Sequence, residues 1–275
     1  MSEDDGHDKL RLGGMALRNG LLVHGPTHWA AAVRARDGAI RVASGHKPKL
    51  SGDALGRVPG VRGVTRLAEA IAVIPLVKRA LPESRLPMQD ARTLGTMAAA
   101  ALAGRALRLG GPRSLAREVA VAGLSLAPAV FALHGGDLAS YHGVEHKAIA
   151  GYEQDRGTAD TTKEHDRCGS HLVAPMLATA AAGNVAVRRA GIGGPAAEGM
   201  VALGSVAIAV EIFGWCERHS QSALSRALRR PGHEIQRVVG TREPDAAQIE
   251  VGDAALAEIL RVERLAAARP RAADA

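Results

Sequence analysis

Nearly every side chain able to ligate a metal or move a proton falls between Tyr141 and His171. The stretch opens as Tyr141-His142-Gly143-Val144-Glu145-His146-Lys147, continues through Tyr152-Glu153, and closes as His165-Asp166-Arg167-Cys168-Gly169-Ser170-His171. On a helix over 141–153, His142 and His146 stand at i and i+4 and project from one face. That spacing lets two imidazole nitrogens converge on one divalent ion, with Glu145 beside them as a base. His-x-x-Glu-His is also the order used by the inverted zinc peptidases, although five residues are a short pattern. His142, His146, His165 and Cys168 are the candidate ligands, and zinc is the metal such donors suit. All four together would close the site and make it structural; three plus a water would leave it catalytic. Glu145 is the candidate catalytic base, against the alternative of a surface pair with Lys147. Glu153 is a spare carboxylate on what reads as a solvated helix face, and His171, at the start of an apolar segment, could supply a further ligand or equally cap that segment. A histidine-rich helix end without metal is the alternative reading of the whole cluster.

The elements that must position these residues are helical. Apolar residues make up 47% of the 275, yet Trp, Tyr and Phe number only two each, and Ala, Leu and Val supply the rest. Such a composition favours close-packed helices over a β-sandwich core. The net charge of +7 comes mostly from Arg scattered between apolar runs. With no basic stripe interleaved with aromatics, that distribution fits anionic lipid headgroups better than nucleic acid. Cys168 and Cys216 set up no disulfide framework, in keeping with a reducing compartment. The opening Met1-Ser2-Glu3-Asp4-Asp5 has no apolar run behind it, so no cleaved secretory signal is expected.

In chain order, residues 1–9 read as a disordered tail, and glycines bracket a short apolar run over Leu12–Pro26. Trp29–Val33 and Ala39–Val42 read as a β-hairpin turned by Asp37-Gly38. Residues 45–57 read as a loop. Arg62–Leu81 has helical apolar spacing with Pro75 inside it, and it fits a membrane surface or a core. Four apolar segments follow: Thr93–Gly104, Val119–Gly136, Leu172–Val187 and Gly199–Cys216, the last interrupted by Glu211. Each is shorter than the ≈ 20 apolar residues of a full span, so hydropathy alone leaves a soluble helical bundle open. Gln248–Leu265 reads as a closing helix with Pro244-Asp245 as its start signal, and the chain frays from Arg269.

Three separated pieces resemble the YqhQ-like family. Gly13-Gly14-Met15-Ala16-Leu17-Arg18-Asn19-Gly20 is similar to its Gly-Gly-Gln-Ala-x-x-Glu-Gly opening. Residues 141–147 with His165-x-Arg167-Cys168-Gly169 resemble its central signature. Pro231-Gly232-x-x-Ile235-Gln236, Thr241-x-Glu243-Pro244 and Glu250-Val251 resemble its C-terminal one. Met15 replaces a glutamine, Asn19 a glutamate and Asp166 a proline of the family pattern; the loss at Asn19 counts against a catalytic role for the N-terminal motif. The resemblance implies a bacterial multi-pass membrane protein, a family with plant relatives and a predicted metal-dependent enzyme.

On that footing the expected fold is mainly α: a polytopic membrane bundle of about four spanning helices, a small N-terminal β-hairpin and a C-terminal helical tail. The expected division is a cytosolic segment over 1–92, membrane helices over 93–216 enclosing the 137–171 metal loop, and a cytosolic tail over 217–275. The expected place is the bacterial cytoplasmic (inner) membrane, with lipids as partners and no nucleic acid. The positive-inside rule supports this only in part, because Arg105, Arg108, Arg113, Arg117, Arg188 and Arg189 fall on the far side. Two functions follow. One is a metal-dependent hydrolase acting on a lipid-linked or peptide substrate at the cytosolic face, with Glu145 as base. The other is a non-enzymatic scaffold or regulator pinned by a structural metal.

Overall fold

A computed structural model of the chain describes residues 9–50, 58, 61–87, 89–109, 114–134 and 136–268. The tail to residue 8, the loop over 51–57, Arg113 and the terminus from Arg269 lie outside the described residues.

The hairpin read from Asp37-Gly38 is the second half of a four-stranded antiparallel meander. Its strands are β1 (Gly13–Leu17), β2 (Gly20–His24), β3 (His28–Arg34) and β4 (Ile40–His46), in that order across the sheet. Gly38 has φ +85, and Asp37 accepts the Ala39 N–H, so this turn forms as its residues dictate. The β1–β2 turn is tighter, with Leu17 paired to Gly20. There Asn19 bonds the Arg34 and Glu83 carbonyls and accepts the Arg85 N–H. Position 19 is therefore a turn anchor.

Strand alternation gives the sheet two apolar faces. Leu17, Leu22, Trp29, Ala31 and Val33 meet Val73, Val77 and Leu81 on one side, where α1 (Val61–Ala80) lies. Ala16, Leu21, Val23, Ala30 and Ala32 form the other face. They pack on Leu138, Tyr141, Val144 and Ile149 of α5 (Asp137–Gln154) and on Val251, Ala255 and Ile259 of α9 (Ala246–Ala268). A reciprocal cap starts α9: Asp245 accepts the Gln248 N–H at 2.8 Å while Gln248 accepts the Asp245 N–H at 3.1 Å.

The remaining long helices form two hairpins that project from this body. The first is α2 (Ala91–Leu109) followed by α3 (Leu115–Ser125) and α4 (Ala127–Leu133), the last two separated at Leu126 just before Pro128. The second is α6 (Ser170–Arg189) and α7 (Pro195–Arg218), and α8 (Ala223–Ile235) leads back to the sheet body. At the near end, Asp90 before α2 pairs with Arg18, and Glu217 of α7 pairs with Arg11 at 2.6 Å. At the far end all four helices meet in one ionic cluster. Buried Glu118 bonds Arg108 at 3.1 Å and Arg188 at 3.6 Å, and Glu198 takes Arg188 at 3.1 Å.

Among the described residues, three segments are long and apolar enough to cross a membrane: Leu115–Leu133, Ser170–Arg189 and Pro195–Arg218. Thr93–Gly104, expected as a fourth, belongs to α2, where Arg92, Arg105 and Arg108 dilute its apolar character. In the most apolar stretch of each, 6%, 22% and 17% is buried, so most of those residues are at least partly exposed.

Glu118→Gln should leave Arg108 and Arg188 with only Glu198 as counter-charge and lower stability by ~2 kcal/mol. Thermal unfolding of the detergent-purified protein reads this out. Replacing Glu118, Arg108 and Arg188 together by Leu should recover most of the loss.

Candidate metal centre

Helix α5 is buried from Leu138 to Gly151 except at half-buried His142, an environment that ordinarily excludes ionisable groups. It nevertheless carries His142, Glu145, His146 and Lys147, and each has a defined surrounding.

The His142 Nδ1 proton goes to the Gly240 carbonyl at 2.7 Å, and the His146 Nδ1 proton to the Lys163 carbonyl at 2.6 Å. A carbonyl only accepts, so both rings carry a proton on Nδ1, and in a neutral ring Nε2 is then the lone pair. His142 Nε2 lies 3.4 Å from Cys168 Sγ. His146 Nε2 is buried without a hydrogen-bond partner among the described residues. These three ligand atoms lie within 4.8 Å of one another. Burial pushes the Cys168 thiol up to about 11 and holds His146 well below the usual imidazole range.

Two carbonyl-bearing segments orient the histidines. The chain after α5 reverses at Asp155, in the left-handed region at φ 55, and makes a short 3₁₀ turn at Thr158–Asp160. Lys147 stabilises this return by donating to the Thr161 carbonyl and the Glu243 carboxylate, each at 2.6 Å. The second segment is a π-turn at Gln236–Gly240, which delivers the Gly240 carbonyl to His142. Gly143 lets this segment approach, because a Cβ there would overlap the Arg242 carbonyl oxygen.

Gln236 is fully buried and holds the cysteine loop from both ends. It accepts the His165 N–H at 2.7 Å and donates to the His165 carbonyl at 3.1 Å and the Ser170 hydroxyl at 2.8 Å. Asp166 adds a surface tie to Arg229 at 3.3 Å and His233 at 3.0 Å. Sequence reasoning singled out neither Gln236 nor Lys147 as a positioning residue. The only signal was their place in the signatures, Lys147 in the central one and Gln236 in the C-terminal one.

His142, His146 and Cys168 are brought together as expected. His165 lines the same cavity, but its Nε2 faces Glu153 at 3.3 Å and its Nδ1 accepts the Arg167 N–H at 3.2 Å. Glu153, read as a solvated carboxylate, instead bridges His165 and Arg167. His171 bonds the Arg229 carbonyl at 3.0 Å and stands outside the triad. Glu145 does not pair with Lys147. It points to β1, where the Ala16 N–H bonds its carboxylate, and burial raises its pKa. Gly14 makes room for it, since a Cβ there would overlap the Glu145 side chain. This is how the N-terminal Gly-Gly motif enters the site, through the space beside Gly14 and the N–H of Ala16.

The triad and Glu145 open on a cavity of about 730 Å³, walled on its other side by Met97 of α2 and Pro128, Ala129, Ala132 and Leu133 of α4. The donor set passes the test for a metal ligand cluster. Each histidine gives its other ring nitrogen to a backbone carbonyl, as metal-binding imidazoles do, and one buried Nε2 has no other partner.

Fold and site together define a mainly helical protein with a small antiparallel sheet, three candidate membrane-crossing segments and a buried His–His–Cys cluster. Residues 137–262 match the family model described as protein of unknown function (DUF1385), which covers α5 through most of α9 and therefore both histidines, Cys168 and Gln236. No curated protein and no solved structure matches the chain.

His24 also lines the cavity, and burial, with Lys47 nearby, pulls it from 6.5 down to about 4. The fold thus accommodates the neutral ring. Its contribution is complete above pH 6.5 and is lost as pH falls from 6.5 towards 4, by ~3 kcal/mol in total. Urea unfolding across that range should show the loss in the parent and a shallower slope in His24→Gln.

Proposed function

We propose that this protein is a polytopic membrane enzyme: a metal-dependent hydrolase whose site lies at the cytosolic face of the bacterial inner membrane. The observation that carries the metal is the partnerless, buried His146 Nε2, set beside His142 Nε2 and Cys168 Sγ with both Nδ1 atoms already committed. Two nitrogens and one sulfur suit zinc, and three protein ligands leave a position for substrate or water. The resemblance of the three signatures to the YqhQ-like family agrees with this reading.

The membrane placement draws on connectivity. The sheet, α5 and α9 share one core, so the chain must cross an even number of times between β4 and α5, and again between α5 and α9. The hairpin α6–α7 supplies two crossings. If α3–α4 crosses, α2 is its return, with Arg108 neutralised by Glu118 at the far end. At 19 residues α2 is about 28 Å long, close to the ~30 Å hydrocarbon thickness. Pairing of Arg108 and Arg188 with Glu118 and Glu198 also softens the conflict with the positive-inside rule.

When bound, a divalent ion supplies electrophilic catalysis to a carbonyl or phosphoryl oxygen and acidifies water. Glu145 takes the proton of the attacking water on its carboxylate and returns it to the leaving group, so that one water is divided between the two products. The Ala16 N–H holds that carboxylate in place, and the surrounding apolar packing keeps other water out.

The protein should stay with the membrane pellet through alkaline carbonate washing; release into the supernatant would show a soluble bundle. Elemental analysis of the purified protein should find zinc, reduced sharply in His142→Ala, His146→Ala and Cys168→Ser. Glu145→Gln should keep its metal and fold yet fail to complement a deletion strain, since loss of a general base costs roughly 10²–10⁴-fold in rate. Full complementation by Glu145→Gln, with failure of the histidine variants, would instead indicate a scaffold pinned by structural metal.

A further inference from the structure

We propose that the cavity beside the triad is a tail-binding site that takes the hydrocarbon chain of an amphiphilic substrate between α2 and α4. The chain's polar, cleavable end then lies against Glu145, His142, His146 and Cys168. This rests on the membrane and metal reading above and narrows its substrate class.

The cavity is of ligand size, about 730 Å³ against the ~300–1,000 Å³ usual for small-molecule sites, and its two ends differ in chemistry. One end is the triad with Glu145. The other is Met97, Pro128, Ala129, Ala132 and Leu133, with Thr93 and Ser125 beside them, whose hydroxyls already donate to Asp90 and to the Ala122 carbonyl. Met97 lies inside the long helix α2, where backbone amides bond internally, and Pro128 has no N–H to offer, so this wall presents few backbone donors. A peptide threaded there would bury its own amides with few partners, whereas a hydrocarbon chain would bury nothing polar. The outer faces of the same two helices expose Leu94, Leu102, Val130 and Phe131, so the wall between cavity and surroundings is apolar on both sides. Such a wall suits a ligand that arrives from the bilayer.

The test uses the full-length protein in lipid nanodiscs, labelled by dodecyl phosphate with a diazirine at the chain end. Illumination should place adducts on Met97 and Leu133 inside the cavity as well as on outward Leu102 and Phe131. Ala132→Trp, which fills the cavity, should cut the inner adducts about tenfold and leave the outer ones unchanged. If Ala132→Trp does not fold, as judged by thermal unfolding, Ala129→Phe serves the same purpose. Absence of inner adducts in the parent, or equal inner labelling in parent and cavity-filled variant, overturns the proposal. So does removal of the Met97 adduct by an unlabelled apolar peptide but not by unlabelled dodecyl phosphate. Metal content measured on the same samples separates the two readings. Inner labelling without metal would retain the tail site and sink the metal centre. Metal without inner labelling would do the reverse.

Discussion

The arrangement depends on two short bonds from one helix to backbone carbonyls: His142 to Gly240 and His146 to Lys163. Each fixes a ring's rotation and its tautomer together, and only that combination turns both Nε2 lone pairs towards Cys168. The carbonyls come from segments some 20 residues after and nearly 100 residues after the histidines. The cluster therefore exists only once the return loop and the π-turn have closed on α5. Lys147, Gln236 and Gly143 all serve that closure: one clamps the loop, one holds the cysteine segment, and one admits the backbone of Arg242.

The helical hairpins contribute differently. Their near ends are tied to the sheet body by Arg18–Asp90 and Arg11–Glu217, and their far ends to one another through Glu118. Between those ties the contacts are mostly small apolar side chains, which let helices approach closely but specify register weakly. The charges at both ends provide the register. The cavity wall is then held at a definite distance from the triad, because α4 runs into α5 across the few residues 134–136.

Much of the site was legible in the sequence, since i, i+4 histidines on a helix need only local geometry to share a face. The Asp37-Gly38 turn and the Asp245 start signal were legible for the same reason. Strands β1 and β2 were not read as strands: their glycines and alanines carry little β signal, and their pairing with β3 is a tertiary event. His165 was expected among the ligands because its spacing to Cys168 looks right. What turns it away is Glu153 and Arg167, a charge pair assembled only when α5 and the loop meet. Asn19 was weighed as a lost site carboxylate, yet it lies in a turn whose carbonyl partners Arg34 and Glu83 could not be foreseen from spacing. The four apolar segments were visible, but sequence could not say that α2 ends in a charge shared with α3 and α6.

A buried cluster of this kind sits uneasily with its own burial. Cys168 is held as a thiol by desolvation, Glu145 is driven towards its protonated form, and His146 Nε2 has given up water without a replacement. An unsatisfied buried polar atom costs on the order of 1–3 kcal/mol, a large share of a domain's net stability of about 5–15 kcal/mol. Packing alone would favour apolar residues at 142, 146 and 168, and the surrounding core could accept them. A divalent ion held as proposed by His142, His146 and Cys168 would give these atoms a partner, since two imidazole nitrogens and a cysteine sulfur are the donors such an ion takes. On the proposed reading, metal binding and the closure of the loop and π-turn on α5 would be one equilibrium. The positioning network around α5 is polar and yet buried because each of its members is committed to a hydrogen bond that closes the loop and the π-turn on this helix.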